Sequence, residues 1–479
     1  MAAKCENMSL QHPAVIFRYS VKYIWLLIFP LLRGVRTLRF DWETFHTWLE
    51  GAWLDVPVLI VMFAFGFLKW RFTRFAVSDG FIRVDSGIFF HSRTELPYCN
   101  ICAATMQKSL FLRPVSASWV YIDTNSGLLK TTDFSMLMRY SDAERLLEAL
   151  KKNVSEPDYT YKPRQLSMFL FSFVFSSTLS GAVFAATLFY QGARLTTDTL
   201  ESMKNTLSEV AHKVLPNISP ATGIFSIIIL GSWLLSFLRN VFRYSNFKIR
   251  RANGGISVET GILTISRYYV NPERINYADI QQNFLTKLFR LMSVRVSCSG
   301  YGTNRAEVPV FVPITSHKKV YRGLSELLPH YKKAKLTVRP RRLTIPRYIS
   351  PTLLLSAAVY AAYYVLRQYL PGWIDVISFC HVMLQIPCAW HLIVSVTSFF
   401  TSGLGTEDGI VTIKCCEVFS FHTILVSRDK ITKVLIRQNL FQKWNKTCDA
   451  VVYTNSEFTK SYRLKGLPIS KTSVFFDKL

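Results

Sequence analysis

Six polar residues recur in an otherwise apolar stretch late in the chain: His381, Gln385, Cys388, His391, Ser395 and Ser398. At about 100° per helical residue they fall within an arc of about 140°, a single stripe along one helix face. Ionisable groups inside a membrane helix mark a functional site by default, here a proton-linked or substrate-lining face. The stripe also reads as a packing face, its imidazoles and hydroxyls bonding to neighbouring helices. No Asp or Glu occurs in 166–190, 221–238 or 348–366 to complete a proton relay, which favours packing.

Cations form the other conspicuous grouping. Arg239, Arg243, Lys248, Arg250 and Arg251 follow one apolar stretch, and Lys332, Lys333, Lys335, Arg339, Arg341, Arg342 and Arg347 precede the next. Beside an anionic leaflet each is worth about 1 kcal/mol, so together they could seat a domain on the bilayer or hold an anionic headgroup. Other chemistry is thinly represented. Cys99-Asn100-Ile101-Cys102 is a lone Cys-x-x-Cys, and zinc needs a second pair; Cys415-Cys416 lies far away. Cys99 and Cys102 are expected to be small buried thiols in a strand or turn. No phosphate loop, nucleophile elbow or His-Glu-x-x-His motif occurs. Gly403-Leu404-Gly405 lacks the rest of a dinucleotide fingerprint. No catalytic residue, cofactor or metal site is expected.

The elements that must position these groups are membrane spans. Six stretches approach the ~20 residues a crossing helix needs: 14–32, 53–70, 166–190, 221–238, 348–366 and 376–400. They pair into hairpins within 1–70, 164–240 and 346–400, followed by polar domains at 71–155, 241–333 and 401–479. The chain carries a net charge of +26 over 479 residues, and residues 239–349 hold sixteen of those charges. The excess therefore belongs to one domain and its flanks, which removes the need for nucleic acid as a partner. The cations flank the domain-side ends of the spans. The positive-inside rule then places all three domains and both termini in the cytoplasm.

The domains repeat. Asp79-Gly80, Gly254-Gly255 and Asp408-Gly409 each open an alternating run that reads as a hairpin. Gln107, Gln282 and Gln438 follow at near-constant spacing, each ahead of a Leu/Phe pair. Ser141, Ser316 and Ser470 then stand where a final helix could start, the first as a capping box with Glu144. The third unit departs at Cys415-Cys416, where a second hairpin glycine would fall.

With Leu10-Gln11-His12-Pro13 ahead of the first hairpin, this arrangement resembles the YdbS/YdbT-like family of bacterial membrane proteins. In that family a helical hairpin precedes a bacterial pleckstrin-homology (PH) domain of the second type. The resemblance implies membrane hairpins plus three small β-rich PH-like barrels or sandwiches, each with a C-terminal helix. It brings no catalytic residue. The function expected is a non-catalytic scaffold or adaptor of the cell membrane, in envelope homeostasis or tolerance of membrane-active agents. Its partners would be anionic lipids and another protein, such as a single-unit relative. The rival expectation is a transporter or lipid-handling protein that uses the polar stripe.

Overall fold

The computed structural model describes residues 8–21, 55–78, 80–88, 90–124, 134–150, 159–174, 220–252, 255–298, 310–455 and 461–477. Most of the first expected span lies outside these, as do Asp79, Gly254 and the third span beyond Val174. The chain forms two compact units, one of residues 1–158, 251–258 and 263–274, the other of 159–250, 259–262 and 275–479.

In the first unit, β1 (Ser9–Leu10) leads to α1 (Val15–Val21), and α2 (Asp55–Arg71) leads to β2 (Arg74–Ser78), β3 (Phe81–Ser86) and β4 (Ser92–Pro97). These strands form the sheet β1-β2-β3-β4. A 3-10 turn at Tyr98–Asn100 leads into β5 (Ile101–Lys108), β6 (Ala117–Thr124), β7 (Phe134–Arg139) and α3 (Tyr140–Leu150). Helix α3 buries Ala143, Leu146, Leu147 and Leu150, one stripe at helical spacing, against the sheets.

Next come β8 (Tyr159–Tyr161), α4 (Gln165–Val174), α5 (Pro220–Tyr244), β9 (Lys248–Ala252), β10 (Gly255–Thr260) and β11 (Ile265–Val270). A turn at Pro272–Arg274 precedes β12 (Ile275–Asn283), α6 (Phe284–Leu288), β13 (Leu291–Cys298), β14 (Val310–Ser316) and α7 (His317–Leu327). The last hairpin is α8 (Ile345–Tyr369) and α9 (Ile374–Thr401). It is followed by β15 (Gly403–Glu407), β16 (Ile410–Glu417), β17 (Ser420–Ser427), a turn at Arg428–Lys430 and β18 (Ile431–Arg437). Then come α10 (Leu440–Trp444), β19 (Thr447–Thr454), β20 (Ser461–Pro468) and α11 (Ile469–Asp477).

Three strands, a 3-10 turn, three strands and a helix thus recur three times, and the register is conserved with the order. A shift of 174 residues carries Ile101 onto Ile275, and one of 156 carries Ile275 onto Ile431. Under the same shifts the cross-strand pair Gln107–Trp119 becomes Gln281–Ser293 and then Arg437–Asp449, all three of which are paired.

The repeats are joined through their sheets. Within the first unit, β11 of the second repeat pairs antiparallel with β5 of the first, Val270 opposite Ala103. Within the second unit, β17 of the third repeat pairs with β12 of the second, Val426 opposite Tyr277. In both seams the third residue of the earlier repeat's strand faces the residue two before the later repeat's 3-10 turn. The cores are shared accordingly: Tyr269 of β11 fills the first repeat's core, and Tyr277 of β12 fills the third's. A one-residue slip would turn both tyrosines to the wrong face.

The register corrects one landmark. Gln282 donates to the Leu291 carbonyl and Gln438 to the Thr447 carbonyl, at 2.9 and 2.7 Å. The equivalent position in the first repeat is Lys108, one residue past Gln107, so its side chain points to the other face. The helix starts differ too. Ser316 is an N-cap residue, whereas α3 and α11 begin one residue ahead of Ser141 and Ser470. Glu144 accepts from the Tyr140 hydroxyl and from Arg267. A capping box forms instead at Asn439 and Gln442. The third repeat is complete: Cys415 and Cys416 sit inside β16, and the turn falls at Val418, whose φ is +50°. That left-handed conformation is unusual for a β-branched residue.

Candidate functional site

The site is assembled where the last hairpin meets the third repeat, all within the second unit. Among the described residues, two helical segments are long and apolar enough to cross a membrane, Arg342–Tyr369 and Cys380–Thr401. Leu354 is 72% exposed and Phe400 68%, so a bilayer suits these surfaces better than water does. Helix α8 carries Pro351 and α9 Pro387 in their interiors.

The sequence-predicted polar stripe runs down the face of α9 that meets α8. Gln385 accepts from the Ser356 hydroxyl at 2.8 Å and donates to its carbonyl at 3.1 Å. The Nδ1 atom of His391 lies 2.7 Å from the Thr352 hydroxyl, with Ser395 at 3.5 Å. Cys388 is buried. His381 stacks beside Tyr363 and Tyr360, and its buried Nδ1 has no hydrogen-bond partner among the described residues.

Below the stripe, the buried carboxylate of Asp449 ties the repeat to the start of α8. It accepts from Arg347 at 2.7 Å, Arg463 at 3.0 Å, Gln442 at 2.8 Å and the Gly466 amide at 3.1 Å. Arg341 adds a bond from its backbone N–H to the Gly466 carbonyl and one from its guanidinium to the Asn445 carbonyl. The Tyr348 hydroxyl donates to the Lys465 carbonyl.

A cavity of about 100 Å³ opens between these groups. Helix α9 contributes His391, Ser395 and Ser398, with Ser402 just beyond it, while β20 contributes Arg463 and Lys465. Tyr348, Pro351, Cys416 and Val418 complete the wall. Burial, with Arg463 alongside, lowers the Lys465 pKa. Nearby, burial pulls Lys287 down to about 8 and pushes the Cys416 thiol up to about 11. That thiol stays protonated at neutral pH and is a poor nucleophile. Arg463 and Lys465 suit the cavity to an anion, and within its wall Ser395 lies 3.5 Å from Nδ1 of His391.

The sequence-predicted cations divide by placement. Arg239, Arg250, Lys332, Lys335, Arg339, Arg341 and Arg342 are exposed, while Arg243, Lys248, Arg251, Lys333 and Arg347 are partly buried. Arg341 and Arg347 are engaged with the third repeat as described. Sequence reasoning passed over Arg463 and Lys465, which sit in an ordinary alternating strand, and treated the Leu/Phe pairs after the Gln landmarks as mere markers. In the first and third repeats those pairs are surface features, whereas in the second Phe284 is partly buried against Trp390 and the exposed apolar residues follow it. Phe111 is 88% exposed, Phe441 75% and Trp444 83%, and Leu288 and Phe289 protrude from the equivalent segment of the second repeat. Each segment lies beside a hairpin helix: Leu112 packs in a cluster with Trp70, Lys287 bonds to Thr401, and Asn445 bonds to Arg341. Of the two thiols expected to be buried only Cys102, in β5, is; Cys99 sits in the 3-10 turn ahead of the strand and is exposed, and no group of three metal-binding side chains occurs among the described residues.

Comparison with known proteins agrees with this construction. Residues 22–154 and 204–328, more than half of the chain, match the bacterial PH domain family (bPH_2). The matches stop short of the third repeat, which shares the strand order and register of the other two. A curated relative, UPF0699 transmembrane protein YdbT of Bacillus subtilis (strain 168), is 20% identical over 330 residues. That alignment takes in 62% of this chain and 65% of the relative's length. No solved structure matches.

Proposed function

The chain belongs to the bacterial PH domain family, and from that premise we propose a non-catalytic scaffold of the cytoplasmic membrane. It crosses the bilayer several times, and its three PH-like repeats and both termini face the cytoplasm. It recruits a protein partner, in envelope homeostasis or tolerance of membrane-active agents. A relative named as a transmembrane protein and two apolar helices support the membrane assignment.

The observation that carries the scaffold reading is the third strand of the seam type. β5 and β12 each receive a strand from another repeat, whereas β18 has no strand on its outer side among the described residues. Met106 and Ile280 at the seams are 2% and 1% exposed; Ile436, at the same position of β18, is 38% exposed. A long, β-branched edge left open is a template for strand addition. The edge strand of the first repeat's first sheet, β4, is blunted. β4 carries Pro97, and its Glu95 and Arg93 are ion-paired to Arg83 and Asp85. A partner that brings its own PH-like first sheet therefore fits β18 better than a second copy of this chain does.

The rival reading, transport or lipid handling through the bundle, would depend on the stripe. A strain lacking the gene, challenged with membrane-active agents, separates the two. Ile436→Asp should fail to restore growth, and the double change His381→Leu, His391→Leu should restore it. The opposite pattern, with both variants inserted normally, would replace scaffold by transport.

A further inference from the structure

We infer that the cavity beneath α8 and α9 is a binding site for a phosphate-bearing anion, formed by Arg463 and Lys465 of β20 and the hydroxyls of Ser395 and Ser398. This goes beyond the scaffold reading and does not depend on it.

Charge and position both point there. Lys465 has no carboxylate within ion-pair distance among the described residues. Asp449, the nearest buried acid, already serves Arg347, Arg463, Gln442 and the Gly466 amide. Glu417, at the edge of the same region, is exposed, and Lys287 adds a further cation. The cavity wall thus carries more positive charge than the protein neutralises. A partly buried ammonium without a counter-ion is costly, and a bound anion offsets that cost. The opposite wall carries buried hydroxyls: Ser402 donates to the Ser398 carbonyl at 2.7 Å, and the Ser398 hydroxyl, 3.3 Å from that of Ser402, is the one that can turn to an anion. His391 also lines the wall, its Nδ1 2.7 Å from the Thr352 hydroxyl.

The position suits a lipid. Ser395 and Ser398 occupy the last turns of a helix long and apolar enough to cross a membrane, and Ser402 follows its end. Headgroup phosphates lie at the ends of such helices. Pro351 lies against the cavity, next to exposed apolar residues of α8 along which acyl chains could run. Free phosphate offers the same chemistry without the chains.

The test is the thermal midpoint of the purified full-length chain in detergent. It is titrated separately with short-chain phosphatidylglycerol, short-chain phosphatidylcholine and inorganic phosphate. A saturable upward shift with phosphatidylglycerol is expected. Its apparent affinity should fall about tenfold in Lys465→Gln, recover in Lys465→Arg and stay unchanged in Lys335→Gln. Ser398→Ala provides a second weakened variant if Lys465→Gln fails to fold. An equal saturable shift with inorganic phosphate, lost in the same variants, assigns the site to the free anion and supports it. An equal shift with phosphatidylcholine overturns the proposal. So does a phosphatidylglycerol shift that neither Lys465→Gln nor Ser398→Ala weakens, or the absence of any saturable shift.

Discussion

At the scale of single residues, Asp449 is the strongest fixed point. Its side chain is 2% exposed and is approached by two guanidiniums, one amide side chain and one backbone N–H. Asp449→Ala leaves Arg347 partly buried without a counter-ion. The expected loss is about 3 kcal/mol of stability, read as a lower unfolding midpoint in detergent. The exposed Arg83–Glu95 pair is a contrast: Glu95→Gln should stay within ~0–1 kcal/mol. Equal losses in the two variants would contradict this ranking. Lys287 and Lys414 make a pH prediction. Burial holds both near 8, against 10.5 for a free lysine, and Lys414 also faces Lys333, Lys287 and Arg339. Between about pH 8 and 10.5 the unfolded chain binds more protons than the folded one, so stability should rise with pH in that window. Thermal melts across pH 7–10 in detergent check the sign. None of these partners was legible in the sequence. Arg347 and Asp449 are 102 residues apart, and a cation ahead of an apolar helix reads as a topology signal whatever it bonds to.

At the scale of elements, the glycines of Gly403-Leu404-Gly405 acquire a structural purpose. The segment 335–338 lies against β15, with Leu404 and Val338 exchanging backbone hydrogen bonds. A Cβ on Gly405 would strike the Lys335 carbonyl, and one on Gly403 would meet the Val338 carbonyl at 2.6 Å. Gly405→Val should push this segment off the strand, at about 2 kcal/mol. Faster amide hydrogen exchange at Leu404 and Val338 would report it; unchanged exchange would contradict the close-approach account. The repeat order, the turn landmarks and the polar stripe could be read from the chain because they are local and periodic. Gly80 and Gly409 do take positive φ at the expected turns, and Gln385 and His391 do share a helix face. The seams could not be read. They pair strands about 160 residues apart, and a strand carries no mark of which repeat it will join. The one-residue error at Gln107 has the same origin, since periodicity places a residue on a strand but a register requires its partner.

At the scale of the whole molecule, each PH-like repeat presents its apolar loop beside a hairpin helix. Such residues belong at a bilayer interface, where an aromatic ring can be half solvated. Trp444 in proteoliposomes should be quenched by lipids brominated near the headgroup, as the difference between wild type and Trp444→Phe. Quenching by aqueous iodide alone would place this loop in water. One mode of joining, antiparallel strand addition in one fixed register, is used twice among the described residues and left open once, at β18. It is tested most directly by a photo-reactive residue at position 436 of the full-length chain in its own membranes, with the adducts sequenced. The expected adduct maps to a strand of a PH-like protein, five residues ahead of its 3-10 turn as Arg267 and Thr423 stand in the two seams, and is absent when the probe stands at position 95. Adducts with lipid alone, or equal protein adducts from both positions, would contradict the claim.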